Sequence, residues 1–331
     1  MLKFKTFSYV DNNVFQCEAF TMLIPEGWSV SGGIIWRQHA TMPGAISLSI
    51  RSSDGLYELN LLPSMPYYWN KTPFSLFGPK EGSMYMGNEV RRPVSGFMQY
   101  LQQYILPKGG FRTTIVGHKK FPELENALRA ENQGGFGSTI SIDGGIAKLE
   151  YAHNGYLFEG DITCGIVTNN MMYGQSSWIA DKIISTRAPK GNFAEASKIF
   201  AVMLNSFKFN LQWFNRYHHF VQSLTQYVMQ DIYNAGVISR IISTTFNHVS
   251  DTVRQSYELQ QASNERVFKG ISESIRGVNS YYDPYKGYSV EIPNGYRYVY
   301  ANALGEYIVT DNANYNPNVH SNLNWTILNR K

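Results

Sequence analysis

The chain has 331 residues, too many for one ordinary small domain, so two or three structural units are expected. Apolar residues make up 43%, enough for a sizeable core, but charged residues reach only 16%, below the usual ~25%; Asn, Ser, Gln and 23 Tyr supply the missing polarity. A net charge of +4 with no Lys/Arg run argues against nucleic acid, and the lack of any run of about 18 uncharged apolar residues argues against a membrane span.

Read in chain order, the first section is short strands around a few helices. Phe15, Ala19, Phe20, Met22 and Ile24 mark a strand that ends at the turn Pro25-Glu26-Gly27. Trp28 and Val30 start a second, which is broken at Gly32-Gly33 and resumes at Ile34-Ile35-Trp36. Ala45 to Ile50 and Leu56 to Leu62 follow, parted by the polar turn Ser52-Ser53-Asp54-Gly55. Pro63 to Pro93, rich in Pro, Gly, Met and Tyr, shows no period and reads as a long surface loop.

Val94, Phe97, Met98, Leu101, Tyr104 and Ile105 recur at helical steps, and Pro107 and Gly109-Gly110 end the stripe. A short helix is expected from Pro122 to Arg129. Strands at Thr139–Ile142, Ile146–Ala152 and Tyr156–Val167 would be joined by turns at Asp143-Gly144-Gly145 and His153-Asn154-Gly155. The Asn-Gly pair between alternating apolar residues is a strong hairpin signal. Trp178 to Thr186 reads as another strand, and Ala196, Ile199, Phe200, Met203 and Leu204 give Phe193–Phe207 a helical stripe.

From about Leu211 to Ile275 there is no proline, and apolar residues keep a helical step. Val221, Leu224, Val228, Ile232, Ile242, Phe246 and Val249 mark one face of what reads as a continuous helix. Ser250 to Gln261 is polar nearly all round, so that part must project, pair with another chain or bend back. Beyond about Asn279 the pattern is turns and short strands. Tyr288–Ile292 should pair with Tyr296–Tyr300 across Pro293-Asn294-Gly295, with Glu306–Thr310 and Trp325–Leu328 completing a small sheet packed on the helix. The expected division is therefore 1–210, a long amphipathic helical segment at 211–278, and a small β-rich module at 279–331.

Phe20-Thr21-Met22-Leu23-Ile24-Pro25-Glu26-Gly27-Trp28 resembles the entry strand of the PsbP-like fold, shared by the photosystem II extrinsic protein, the Ran-release factor and many bacterial proteins. Phe193 to Asn210, through Phe200 and Ser206-Phe207-Lys208, resembles that fold's last helix and following strand. The likeness covers about 200 residues on short motifs. It implies an α+β, antiparallel-sheet α-β-α sandwich and a binding or assembly role, and it carries no catalytic residues across. The stretch Ile275 to Pro284, with Tyr296–Tyr300, Gly305-Glu306-Tyr307-Ile308 and Asn316-Pro317-Asn318, looks like a recurrent ending of uncharacterised bacterial proteins and implies no activity.

The residues that could carry chemistry are few. Gly134-Gly135-Phe136-Gly137-Ser138 lacks the Lys of a phosphate loop, and there is no Gly-x-Ser-x-Gly or His-Glu-x-x-His motif. His218 and His219 lie about 100° apart on any helix and cannot chelate one ion together. Glu159 and Asp161 would share one face of a strand, either as a paired acid and base or as solvent-facing residues. Cys17 and Cys164 are the only cysteines and read as reduced and structural. Tyr and Trp crowd the loops and the C-terminal end, where Tyr296, Tyr300 and Trp325 would form either the core of a small sheet or a contact surface.

These readings converge on a non-catalytic interaction or scaffold protein with no cofactor and no metal. A protein partner or a second copy would dock on the long helix through Val221, Leu224, Val228, Ile232, Ile242, Phe246 and Val249, and on the aromatic end. An assembly or secretion chaperone that holds an apolar segment is the first alternative, with Met65, Met84 and Met86 as adaptable contacts. A carbohydrate-active or other hydrolase is the second, and it needs carboxylates converging in a cleft. With no apolar leader visible at Met1-Leu2-Lys3-Phe4-Lys5, a reducing cytoplasm is the expected compartment.

Overall fold

The computed structural model describes residues 2–71, 79–109, 112–132, 137–228, 249–274, 278–293, 296–319 and 321–329. It is a mixed α+β architecture in which antiparallel strands predominate. A long hairpin, β1 (Leu2–Asp11) and β2 (Cys17–Pro25), leads into β3 (Ser29–Trp36), β4 (Gly44–Arg51), β5 (Glu58–Leu62), β6 (Met65–Asn70), β7 (Met84–Tyr85) and β8 (Asn88–Val90). Helix α1 (Phe97–Tyr100) runs on through a wider turn at Leu101–Ile105. Next come β9 (Thr113–Lys120), α2 (Pro122–Glu131), β10 (Thr139–His153), β11 (Tyr156–Asn170), β12 (Gln175–Pro189), α3 (Phe193–Asn205) and β13 (Lys208–Phe209). Helices α4 (Leu211–Val228) and α5 (Asp251–Ser274) precede β14 (Val278–Asp283), β15 (Tyr288–Pro293), β16 (Tyr298–Ala301), β17 (Tyr307–Thr310) and β18 (Thr326–Ile327).

The large sheet runs β3-β4-β5-β12-β11-β10-β9, with β6 also paired to β12 and the β7–β8 hairpin attached to β6. One face carries the larger core, in which Leu48, Ile50 and Leu59 of the sheet meet Leu124 of α2, Phe200 of α3, Trp213 of α4 and Val267 of α5. The other face carries a second core around Trp178, where Tyr67 stacks at 4.0 Å under cover of Phe97, Tyr100 and Leu101. Strand alternation, interrupted at bulges, feeds the two cores from the same chain. The β10–β11 turn is the two-residue kind expected, with Asn154 at φ 48° and Gly155 at φ 80°.

Several expectations are corrected. Asp143-Gly144-Gly145 is not a turn but the middle of β10, a single 15-residue strand. The glycines are there because helices press on both faces. A Cβ at Gly145 would stand 2.1 Å from the Phe97 ring, and one at Gly144 would be 3.1 Å from the Glu125 side chain. Asp143 contributes by accepting the Phe97 N–H at 2.8 Å at the start of α1. Pro63–Pro93 is not a plain loop, because β6 pairs with β12 and positions Tyr67 on Trp178. Tyr288–Ile292 pairs backwards with β14 across the Asp283–Gly287 turn, and β16 pairs with β17 instead. Finally, β1 pairs with β17 (Leu2 with Val309, Phe4 with Tyr307), so the second sheet, β13-β2-β1-β17-β16-β18, joins the first residues to the last.

The single long helix also differs from expectation. Tyr257 of α5 packs edge-on against Phe214 of α4 at 5.5 Å and donates its hydroxyl to the Phe209 carbonyl at 2.9 Å. An unbroken helix would hold residues 214 and 257 about 65 Å apart at 1.5 Å per residue. The chain therefore doubles back, the third of the options its polar stretch left open. Ser250 starts α5 by accepting the Val253 N–H at 3.3 Å, with Asp251 in the first turn. Val253, Val267, Phe268 and Ile271 bury that helix against the rest of the molecule. Among the described residues no helix is long and apolar enough to cross a membrane.

Candidate functional site

Strand β12 has two partners along one edge: β5 opposite Ile183–Arg187 and β6 opposite Gln175–Ala180. Where β5 gives way to β6, Asp181 and Lys182 have no ladder partner on that side, and the register with β11 also slips. Lys182 takes a left-handed backbone, φ 50°, rare for a side-chain-bearing residue. Three hydrogen bonds fix this bulge. Ser64 Oγ and the Lys182 N–H both donate to Asp181 Oδ1, at 2.5 and 2.7 Å, and Thr163 Oγ1 donates to the Lys182 carbonyl at 3.0 Å. A bulge of this kind re-aims a side chain. Here it sends Lys182 toward the last residue of α2, Glu131.

Lys182 Nζ lies 3.1 Å from Glu131 Oε1 and donates to Asn264 Oδ1 at 3.2 Å. Gln260 Nε2 completes the cluster, 3.1 Å from Glu131 Oε1. Burial pulls the Lys182 ammonium down, but the carboxylates of Glu131 and Asp181 outweigh it and hold the pKa above its ordinary value. The lysine is thus held as a cation.

This cluster closes one end of a cleft of about 580 Å³ between the large sheet and helices α4 and α5. Ile34, Ile46, Leu61 and Ile179 supply the sheet side; Trp213, Tyr217 and Val221 of α4 and Phe268 of α5 supply the other. Trp213 and Tyr217 stack at 5.1 Å. Burial pushes the Tyr217 phenol up to about 12, so it stays protonated and donates to the Gly44 carbonyl at 3.3 Å. His218 also faces the cleft. Burial, with help from His219, lowers its pKa, and its Nδ1 is buried without a hydrogen-bond partner. Beneath the rim, Arg37 donates to the Met42 carbonyl at 2.9 Å and to the Ser64 carbonyl at 2.7 Å, tying the Arg37–Met42 loop to the β5–β6 break.

Of the residues singled out from the sequence, the structure brings Val221 into this cleft. Leu224 packs half-buried on the larger core, and Val249 is half-buried just ahead of α5. Ile232, Ile242 and Phe246 lie outside the described residues, as does the side chain of Val228. Tyr296 rests half-buried on the larger core, and Tyr300 donates to the Tyr315 carbonyl at 3.1 Å. Trp325 is buried and donates its backbone N–H to Asn318 Oδ1 at 2.8 Å. In the same part of the chain alternation turns Tyr281 inward and leaves Tyr282 exposed. Met84 and Met86 are exposed on the β7–β8 hairpin, while Met65 is part-buried against the second core.

Glu159 and Asp161 do not face the cleft. Glu159 accepts the Gly191 and Phe193 N–H groups at 2.8 and 3.3 Å, capping the start of α3. Burial raises the Asp161 carboxyl, opposed by Lys148 directly across the strand. Cys17 and Cys164 are unpaired, and burial raises both thiols. Among the described residues no three of His, Cys, Asp and Glu converge as a metal site. Within the cleft, Glu131 and Asp181 are both engaged as acceptors, which leaves an apolar chamber with a satisfied polar end.

Sequence reasoning missed Glu131, Asp181, Lys182, Trp213 and Tyr217. Trp213, Tyr217 and Val221 stand at i, i+4 and i+8, so their shared face was readable. Asp181-Lys182 between Ile179-Ala180 and Ile183-Ile184 breaks the alternation of a strand, which is the signature of a bulge. No protein-family model matches the chain, and no curated protein is significantly similar to it in sequence.

Proposed function

We propose that this chain is a non-catalytic interaction protein whose cleft grips a short apolar segment of a partner protein. The cleft carries the reading. At about 580 Å³ it lies within the roughly 300–1,000 Å³ typical of ligand sites, and aliphatic and aromatic side chains make up most of its wall. Covering such walls gains about 25 cal/mol per Å² removed from water. At the polar end Lys182 and Arg37 offset Glu131 and Asp181, which leaves no surplus charge for an ion. Trp and Tyr, here Trp213 and Tyr217, suit protein contacts because they give large area with little loss of side-chain freedom.

An assembly or secretion chaperone is a special case of this reading, and the exposed Met84 and Met86 are adaptable side chains that such a role would use. A PsbP-like kinship for residues 1–210 belongs to the same proposal. Its support is the placement of the Ile24-Pro25-Glu26-Gly27-Trp28 turn at the end of β2 and of α3 against that strand. The occupant is taken to be a separate protein rather than a second copy of this chain.

The test is fluorescence polarisation of labelled twelve-residue peptides graded in Leu, Ile and Phe content against the 331-residue chain. Affinity should rise with apolar content, and Val221→Asp and Val221→Trp should each weaken it at least tenfold by polarity and by filling. A response that ignores apolar content would sink the reading. Light scattering that shows a dimer dispersed by the peptide would assign the cleft to a second copy instead.

A further inference from the structure

The opposite face of the large sheet holds a second cavity of different chemistry. One cross-strand row there reads Arg51, Glu58, Arg187, Gly160, Leu149 on strands β4, β5, β12, β11 and β10. Glu58 is buried and takes Arg51 Nη2 and Arg187 Nη2 on its two oxygens, each at 2.8 Å. Arg187 also donates to the Gly55 carbonyl at 3.0 Å and lies over the Phe158 ring at 4.9 Å, while its Nε is buried with no acceptor. Tyr151 accepts a hydrogen bond from Arg187 and lines the same cavity.

Gly160 leaves the row without a side chain just beside Arg187. A Cβ there would stand 2.0 Å from the Thr186 carbonyl oxygen, so the backbones lie too close for any other residue. The resulting cavity is about 370 Å³. Leu62, Leu149 and Ile162 of the sheet and Ile105 and Leu106 of the segment after α1 form its apolar part. Two arginines against the single carboxylate of Glu58 leave one positive charge over. Strands are spaced by about 4.8 Å. An anion above Gly160 would therefore sit one strand from Arg187 but two from Glu58, where attraction exceeds repulsion.

We propose that this pocket binds a small amphipathic carboxylate. Its head sits over Gly160 against Arg187 and Tyr151, and its tail lies along Leu149, Ile162 and Leu106. One surplus charge matches a monoanion, and a guanidinium with an unsatisfied N–H is suited to carboxylate geometry. The site meets the cleft on the other face at Leu62 but does not depend on what that cleft holds.

Isothermal titration of the 331-residue chain with octanoate tests the proposal, with octan-1-ol, inorganic phosphate and octyl phosphate as comparators. Octanoate should bind at least tenfold more tightly than the alcohol or inorganic phosphate. Arg187→Met should cost tenfold or more; Glu58 keeps Arg51 as partner, so the fold should survive. Tyr151→Phe, which keeps the ring stacked on Phe158, should cost three- to fivefold. Leu106→Trp should block the tail tenfold while apolar-peptide capture by the cleft is unchanged. Equal binding of the alcohol would overturn the charged head, and equal binding of inorganic phosphate would overturn the tail. Tighter binding of octyl phosphate would overturn the carboxylate, and indifference to both Arg187→Met and Tyr151→Phe would overturn the placement.

Discussion

The two faces of the large sheet are built by the same strands yet hold opposite chemistries. Toward α4 and α5, Lys182 and Arg37 answer Glu131 and Asp181 two for two, and the chamber beyond is apolar. Toward α1, Arg51 and Arg187 both answer Glu58, and the cavity keeps a surplus charge. Strand alternation alone would give each face its own regular row. What differs is how each charge reaches its face: Arg187 sits in register within a cross-strand ladder, whereas Lys182 is thrown out of register by a left-handed bulge. A bulge places one side chain with no repeat, and a ladder places several in line.

The largest expected effect tests that contrast. Lys182→Met removes the cation from the cleft lining and leaves the largely buried Glu131 without its ion-pair partner. Loss of about 3–5 kcal/mol in urea unfolding is expected. Adding Glu131→Leu should recover most of it, because a well-packed apolar pair can replace a buried ion pair. Arg187→Met should cost less, roughly 1–3 kcal/mol, since Glu58 retains Arg51. Equal losses at the two positions would mean that the count of cations per carboxylate does not distinguish the faces.

A smaller effect separates the coverings of the two faces. Gly144 and Gly145 are adjacent on β10 and so point opposite ways, one under α2 and the other under α1. Gly145→Ala drives a methyl into the buried Phe97 ring and should cost about 1–3 kcal/mol. Gly144→Ala meets the Glu125 side chain at 3.1 Å, which can swing aside, and should cost clearly less. Thermal melts of the two variants side by side read the difference. The reverse order would place the rigid cover on the α2 face.

These glycines also show how far the sequence could be read. Asp143-Gly144-Gly145 has turn composition, and only the helices pressed against it make it strand, a fact held by Phe97 nearly fifty residues away. The Asn154-Gly155 hairpin needed nothing but its own φ angles and was legible at once. The strands from Cys17 to Leu62 and helices α2 and α3 showed in local period. The joining of β1 to β17 did not, because pairing across 300 residues leaves no local trace. The doubling back of the chain between α4 and α5 was legible only in part, through Ser250-Asp251 as a helix start and the polar stretch after it. Of the cleft, Val221 was visible as part of an apolar stripe. Glu131 and Lys182 were not, since their meeting depends on where α2 ends and where β12 bulges.

The finest effect concerns the rim of the cleft. His39 is nearly buried, and its Nδ1 accepts the N–H groups of Thr41 and Met42 at 3.2 and 3.0 Å, so the proton sits on Nε2, 3.0 Å from Asn88 Oδ1. A second proton would have to enter between two donors. Burial lowers the pKa, the Asn88 hydrogen bond opposes that, and nearby Arg37 lowers it further, for a net fall below 6.5. A depressed folded-state value means that the contribution is full above the unfolded pKa of about 6.5 and is lost as pH falls through the folded value. His218 has the same sign, lowered by burial and His219. Urea midpoints should therefore drop between pH 7.5 and 5.5, above the range where most carboxylates titrate. His39→Gln should be less stable at pH 7.5 but show a shallower fall, and His218→Gln measured alongside apportions the rest. Because Thr41 and Met42 line the cleft, apolar-peptide binding should weaken over the same interval. A fall as steep in His39→Gln as in the parent would show that the rim is not held by that imidazole.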